Sequence, residues 1–459
     1  MTTRPLVVVD VVGLTPALLA HAPALRRLAS DGFLATLDPV LPAVTCTAQS
    51  SMLTGLSPRE HGIVGNGWYF RDLAEVLFWR QANRLVRGEK VWEAARRRVP
   101  GFTCAQLFWW YNMYASVDWS VTLRPIYPAD GRKIPALYSN PPELQQSLED
   151  ELGKFPMFNF WGPASGIQSS DWIARCAARV RDLVRPTLLL VYLPHLDYSF
   201  QKLGPSDPRV LAEVQAIDAI AGRLIDEVRA AGADVLVVSE YGLEDAVATV
   251  HINRVLREQG YLSVRETLGW EQLDCGASRA FAVADHQLAH VYVQDARDVA
   301  PVQALLARTH GIERVFDAAG KSAVGLDHAN SGELVALAER GHWFTYYYWL
   351  DDRKAPDFAR TVDIHRKPGY DPVELFVDPA LRLPKMRVAW RLAQKALGFR
   401  MLMDVIPLDA SLVKGTHGRP PASSDAGPLV IGSRRDLAAE RFAMTDVKPL
   451  VLRHWDDRG

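Results

Sequence analysis

The chain has 459 residues, 48% hydrophobic and 23% charged, which is enough to bury a large core and too long for one small domain. Its formal net charge of −1 provides no global basic field, which excludes a general hold on nucleic acid polymers or an anionic membrane surface. Four cysteines (Cys46, Cys104, Cys176, Cys275) without paired spacing, and no uninterrupted apolar run near ~18 residues, read as a cytoplasmic protein without a transmembrane segment.

Apolar runs rich in Val, Leu and Ile predict strands at 6–9 (LVVV), 103–107, 187–193 (TLLLVYL) and 234–238 (DVLVV). Helix-period segments at 16–29, 90–98, 171–184 and 208–230 lie between them. This alternation predicts an α/β fold with a mostly parallel sheet covered on both faces. In the last helix Leu211, Val214, Ile217, Ile220, Leu224 and Val228 recur at three- and four-residue steps, one buried stripe. Two aromatic-dense segments interrupt the pattern. Residues 107–165 (LFWWYNMY, RPIYPADGRKIP, FPMFNFWGP) read as a cap insertion, and 340–372, including WFTYYYWLDD and VDIHRKPGY, as a second site-proximal insertion. Such segments serve equally as core beneath a long loop or as pocket walls at the sheet's mouth. Residues 419–428 are the one linker-like stretch.

Polar residues fall where this architecture places chemistry. Asp10 ends the first strand, Asp197 follows TLLLVYL by four residues, and Glu240 follows DVLVVS directly. In an open α/β sheet the carboxyl ends of the strands form the ligand-binding crevice, so three carboxylates share one rim. Each alone reads as an ordinary capping residue. Together they would repel and raise one another's pKa, a cost that a divalent cation removes. Thr45 precedes a predicted helix, where its hydroxyl is either an N-cap or a nucleophile polarised by the helix end and a metal.

The segment from 41 to 69, LPAVTCTAQSSMLTGLSPREHGIVGNGWY, carries Pro42-Ala43-Val44-Thr45 and then Thr54-Gly55 through Pro58, His61-Gly62-Ile63 and Asn66. It resembles the P-x-x-T and T-G-x-x-P-x-x-H-G-I-x-x-N motifs of the nucleotide pyrophosphatase/phosphodiesterase branch of the alkaline phosphatase superfamily. The resemblance implies a three-layer sandwich around a mostly parallel sheet. It also implies a Thr45 nucleophile that also ligates metal, Asn66 on a phosphoryl oxygen, Asp10 as a ligand of the metal activating Thr45, and His61 as a loop-ordering residue. The family's D-x-x-G-H-x-x-G-P appears as Asp197 to Pro205 with Gln201 at the histidine, and S-D-H-G appears as Ser239-Glu240-Tyr241-Gly242. G-x-H-G is intact as Gly415-Thr416-His417-Gly418, so Asp197 and His417 inherit a second metal, and Glu240 stays with the first.

Two family imidazoles are thus replaced, by Gln201 and Tyr241, which become candidate substrate contacts. The implied cofactor is a pair of divalent ions: zinc, or the oxygen-preferring Mn²⁺ or Mg²⁺. His195, His251 and His365 are candidate replacement ligands, with His286 and His290 behind them, although each alone reads first as structural. Lys202, Arg366 and Lys367 are candidate cations. Trp109, Trp110, Tyr111 and Tyr114 are candidate stacking surfaces. The implied activity is hydrolysis of a small phosphate ester (diester, pyrophosphate or phosphonate) through a covalent threonyl-phosphate. A catalytically degenerate binder of a phosphorylated or hydrophobic metabolite, or a phosphotransferase, remain alternatives.

Overall fold

A computed structural model describes residues 4–129 and 133–456. Residues 130–132, within the predicted cap, lie outside the described set. From edge to edge the central sheet runs Arg441–Ala443, Phe33–Asp38, Leu429–Gly432, Asp234–Val238, Leu6–Val11, Leu188–Leu193, Cys104–Leu107, Trp119–Leu123 and Leu137–Asn140. Five of its eight pairings are parallel, with antiparallel strands towards both edges, so the sheet is mostly parallel. Leu6–Val11, Leu188–Leu193 and Asp234–Val238 are buried throughout, which is why they read as continuous apolar runs.

One face is covered by Pro23–Asp31, Ile167–Val184 and Val210–Ala230; the other carries Thr45–Thr54, Val91–Arg98 and Val447–Arg453, which pack together. The molecule is therefore the three-layer α/β sandwich anticipated above. In Val210–Ala230 the expected stripe is buried except for Leu211, which is half-exposed. Asp218 interrupts that stripe because its carboxylate accepts the Ala24 and Leu25 amides at 3.0 and 2.9 Å, capping the start of Pro23–Asp31. The predicted helix 16–29 divides into a 3-10 turn, Pro16–His21, and the helix Pro23–Asp31, because Pro23 has no amide proton and restricts Ala22.

The predicted insertions have mixed roles. Residues 107–165 add two edge strands to the central sheet and the helix Glu143–Leu152, besides an aromatic covering. A four-stranded sheet of Ala280–Asp285, Leu288–Val293, Leu334–Ala338 and Ile312–Phe316, not anticipated from the sequence, forms a second core. Tyr346, Tyr347, Tyr348 and Trp349 are buried in that core, so this aromatic run is chiefly packing, although Tyr347 also lines a cavity with His251, Arg254 and Asp352.

All three candidate cations are already committed elsewhere. Lys367 is buried between Asp371 and Glu374 at 2.7 and 2.8 Å. Lys202 donates to the Ser165 carbonyl at 3.1 Å, and Arg366 is an exposed partner of Asp363 at 3.4 Å. Removing the cation from the buried triad strands two carboxylates in a dry interior. Lys367→Met should therefore cost about 3–5 kcal/mol, read as a fall in the urea midpoint; an unchanged midpoint would contradict this packing account.

Candidate active site

Asp10 lies in the central strand opposite Tyr192 and Val238 of its two neighbours, so Asp197 and Glu240, just beyond those neighbours' ends, face the same crevice. All three are buried. Thr45 is the first residue of the helix Thr45–Thr54, preceded by extended Val44. Its hydroxyl thus stands at the positive end of a buried helix.

The polar groups divide into two pairs bridged by hydroxyls and amides. In the first pair, the Gln49 side-chain nitrogen, one helical turn beyond Thr45, donates to Asp10 Oδ2 at 3.2 Å and to Glu240 Oε1 at 2.7 Å. Gln49 is held by the Trp110 amide, 2.8 Å from its Oε1. Asp10 Oδ1 and Glu240 Oε2 are buried without a hydrogen-bond partner. In the second pair, Asp197 Oδ1 lies 3.4 Å from His417 Nε2, itself without a hydrogen-bond partner. His417 Nδ1 lies 2.7 Å from the Ala43 carbonyl, to which it donates, leaving Nε2 as the free acceptor. Tyr241 joins the pairs: its hydroxyl donates to Asp197 Oδ1 at 3.2 Å and lies 3.0 Å from Thr45 Oγ1.

Burial, reinforced by the charge of Glu240, holds Asp10 well above the usual carboxylate range. Burial likewise pushes Glu240 from 4.5 to about 7. This donor set fits an oxygen-preferring divalent cation. Asp10, Glu240 and the Thr45 hydroxyl could supply oxygens on one side, and Asp197 with His417 could supply two donors on the other.

Asn66 is fixed from three directions. Its Oδ1 accepts the Cys46 amide at 3.0 Å, while its own amide and Nδ2 donate to Asp285 at 2.7 and 3.1 Å. Asp285 is buried, and burial pushes its carboxyl up to about 6. His61 is a loop-ordering residue: Nδ1 accepts the Ile63 amide at 3.0 Å and Nε2 donates to Ser51 Oγ at 2.9 Å. Gln201, one turn beyond Asp197, donates to Asp197 Oδ2 at 2.8 Å and accepts the Tyr370 hydroxyl at 2.9 Å. His417 is sandwiched between Tyr241 and His286, each with ring centroids 3.6 Å away. The flanking glycines permit this approach. A Cβ on Gly415 would meet the Phe200 carbonyl oxygen at 2.2 Å, and Gly418 turns at φ +122°.

The structure therefore gathers Asp10, Thr45, Asn66, Asp197, Gln201, Glu240, Tyr241 and His417. It does not bring His195, His251 or His365 to them. His195 is two residues, about 200°, from Asp197 around a helix, so it turns away and pairs with Glu213 at 2.7 Å. His251 bonds Thr345 at 2.7 Å, and His365 packs edge-on against Tyr127. Gln49, Asp285 and Tyr370 join the site without having been singled out, and His286 enters as ring packing. Of the predicted stacking residues, Trp109, Trp110 and Tyr111 are buried and only Tyr114 is exposed, whereas half-buried Trp79 lies between Trp110 and Tyr370 at 4.7 and 5.8 Å.

Residues 6–371 match the family model for type I phosphodiesterase/nucleotide pyrophosphatase. The chain belongs to that family, and it spans less than half the length of the curated relatives it matches. It is 23% identical over 241 residues to an uncharacterised pyrophosphatase/phosphodiesterase of Schizosaccharomyces pombe, covering 50% of this chain and 41% of that relative. Phosphonoacetate hydrolase of Sinorhizobium meliloti, solved with phosphonoacetate, shares the fold with a TM-score of 0.62 at 14% identity, over 98% of this chain and 96% of that one. An inactive threonine-to-alanine variant of murine ectonucleotide pyrophosphatase/phosphodiesterase 5, solved with AMP, gives 0.59 at 14% identity over 98% and 94%. No helix among the described residues is long and apolar enough to cross a membrane.

The raised carboxyls make stability depend on pH. Glu240 binds its proton more tightly folded than unfolded, so its contribution is complete below about 4.5 and is lost as pH rises through about 7. Metal-free protein should lose on the order of 1 kcal/mol per pH unit across that window in denaturant titrations, and Glu240→Gln should flatten the slope. The same slope in the variant would contradict the assignment.

Proposed function

We propose that this chain is a metal-dependent hydrolase of phosphate esters, acting on a diester, pyrophosphate or phosphonate through Thr45 and a covalent threonyl-phosphate. The observation that carries the reading is Thr45 at a buried helix start, its hydroxyl in a chain through Tyr241 to Asp197 beside the Asp10–Glu240 pair. Asp10, Glu240 and Thr45 would hold one divalent ion, Mn²⁺ or Mg²⁺ before Zn²⁺ given their oxygens, and Asp197 with His417 a second. Bound there, the ions supply Lewis-acid stabilisation of charge on the transferring group.

In the first displacement Thr45 Oγ1 bonds to phosphorus as the bond to the leaving group opposite breaks, an ester or phosphate oxygen in a diester or pyrophosphate and a carbon in a phosphonate, and that group takes up a proton from solvent. The Thr45 proton passes to the Tyr241 oxygen as the Tyr241 proton passes to Asp197 Oδ1, a relay along contacts of 3.0 and 3.2 Å. Asn66, locked by Asp285 and Cys46, orients one phosphoryl oxygen. In the second displacement water attacks the threonyl-phosphate and the phosphorus–Thr45 bond breaks. Thr45 recovers its proton from Tyr241 as Asp197 returns one to Tyr241, and the proton released by the water balances the one taken up by the departed leaving group.

Among the described residues none of Lys202, Arg366 and Lys367 is free for extra phosphoryl charge, which favours a diester or phosphonate over a monoester. The phosphonate ligand of the Sinorhizobium meliloti neighbour fits this class, AMP in the murine one is the monoester that diester or pyrophosphate cleavage would leave, and the inactivity of the threonine variant supports a threonine nucleophile. Trp79 and Trp161, both half-buried, flank Tyr370 with ring centroids 5.8 and 5.7 Å away. The four buried cysteines, all free thiols, support a cytoplasmic setting.

A degenerate binder is the second reading, supported by the Gln49 amide that already spans the two carboxylates. Hydrolysis of bis-p-nitrophenyl phosphate with Mn²⁺ separates the two. Activity should disappear with EDTA, fall by orders of magnitude in Thr45→Ala, and fall roughly 10²–10⁴-fold in Tyr241→Phe. Metal-independent turnover that survives Thr45→Ala would overturn the proposal, and stoichiometric binding without turnover would favour the binder.

A further inference from the structure

Away from this crevice, the turn after Leu334–Ala338 presents Glu339 and His342 towards His310. Their ligand atoms all lie within 4.8 Å of one another, a grouping of three imidazole or carboxylate donors found nowhere else among the described residues. The imidazole centroids are 5.5 Å apart. The backbone fixes the arrangement: the Glu339 amide donates to the Gly311 carbonyl at 2.9 Å, and the His342 amide closes the turn onto the Glu339 carbonyl at 2.9 Å. Gly311 has φ +86°, and a Cβ there would meet His342 Cδ2 at 2.7 Å, so the imidazole is seated against bare backbone.

Two further features suit a cation. His342 Nδ1 lies 3.3 Å from the Arg340 carbonyl, so a proton held there leaves Nε2 as the donor atom. The Arg340 guanidinium between the two ligands is drawn off to Glu244 at 2.8 Å and the Pro420 carbonyl at 3.3 Å, removing its charge from the group.

We propose that His310, Glu339 and His342 form a second, independent divalent-metal site selective for an imidazole-preferring ion of the zinc class. Two imidazoles and a carboxylate with a fourth position open to water are a donor set that zinc accepts, and they differ in kind from the oxygen-rich set of the crevice. The ion would staple the loop before Gly311 to the turn at 339–342. That turn braces the catalytic loop, because Gln287 donates its side chain to the His342 carbonyl at 3.2 Å and its amide to the His417 carbonyl at 3.0 Å.

The test compares zinc bound per chain, by elemental analysis after gel filtration, in the wild-type protein and in His310→Gln/His342→Gln. Circular dichroism verifies the fold, and Glu339→Gln alone is the milder variant. The double variant should retain one equivalent fewer zinc, and Glu339→Gln should weaken that equivalent roughly 10–100-fold. Cobalt should give the wild type visible d–d bands that the double variant lacks. Equal zinc content in both proteins, or zinc that leaves the wild type on gel filtration as an adventitious ion only, would overturn the proposal. Failure of crevice activity would leave this comparison intact, since it counts metal and not turnover.

Discussion

The structure turns on two carboxylates, Asp10 and Glu240, buried side by side at the ends of adjacent strands with one oxygen each left unpartnered. Burying like charges together is among the most expensive arrangements a fold can contain, and proteins keep it only where something offsets the cost. Here the partial offset is a single amide from Gln49. That amide comes from the helix that begins at Thr45, so the groups around the hydroxyl and the groups around the acids are one rigid unit. The surrounding packing exists to hold this unit: the parallel strands set the rim, the helix start sets Thr45, and the second sheet delivers Asp285 to lock Asn66.

The two departures from the family motifs make physical sense in this setting. Tyr241 replaces an imidazole with a hydroxyl that touches both Thr45 and Asp197, so it connects the two halves of the site where a ligand would have divided its attention between them. Gln201 replaces a second imidazole with an amide that orients Asp197 and ties it to Tyr370. Both changes shift the donor chemistry from nitrogen to oxygen, while His417 remains pinned by Ala43 and its ring neighbours. On the proposed reading, the crevice of this family member would prefer harder cations.

Much of this was legible in the sequence because buried parallel strands are continuous apolar runs, and their ends are where polar residues matter. Asp10, Asp197 and Glu240 were found that way, and Thr45, Asn66 and His417 through the motifs around them. His195 is near Asp197 in the chain but not in space, because helical phase puts it on the opposite face, where it pairs with Glu213. Gln49 was invisible, one polar residue in a helix that is buried on every side. Asp285 carries a signal of its own in the sequence. FAVAD and LAHVYV are two apolar runs joined by His286 and Gln287, a hairpin pattern that would have announced the second sheet and the residues at its turn. The aromatic runs could not be divided into core and surface without knowing which sheet lay beneath them.

The central claim is that the Asp10–Glu240 pair is a cation seat adjoining Thr45. An anomalous-difference map from crystals soaked in Mn²⁺ tests it most directly. The account predicts a peak bounded by Asp10 and Glu240 within coordination distance of the Thr45 hydroxyl, with the Gln49 amide moved off at least one carboxylate. Full Gln49 bridging at saturating Mn²⁺ with no peak between the acids would contradict it.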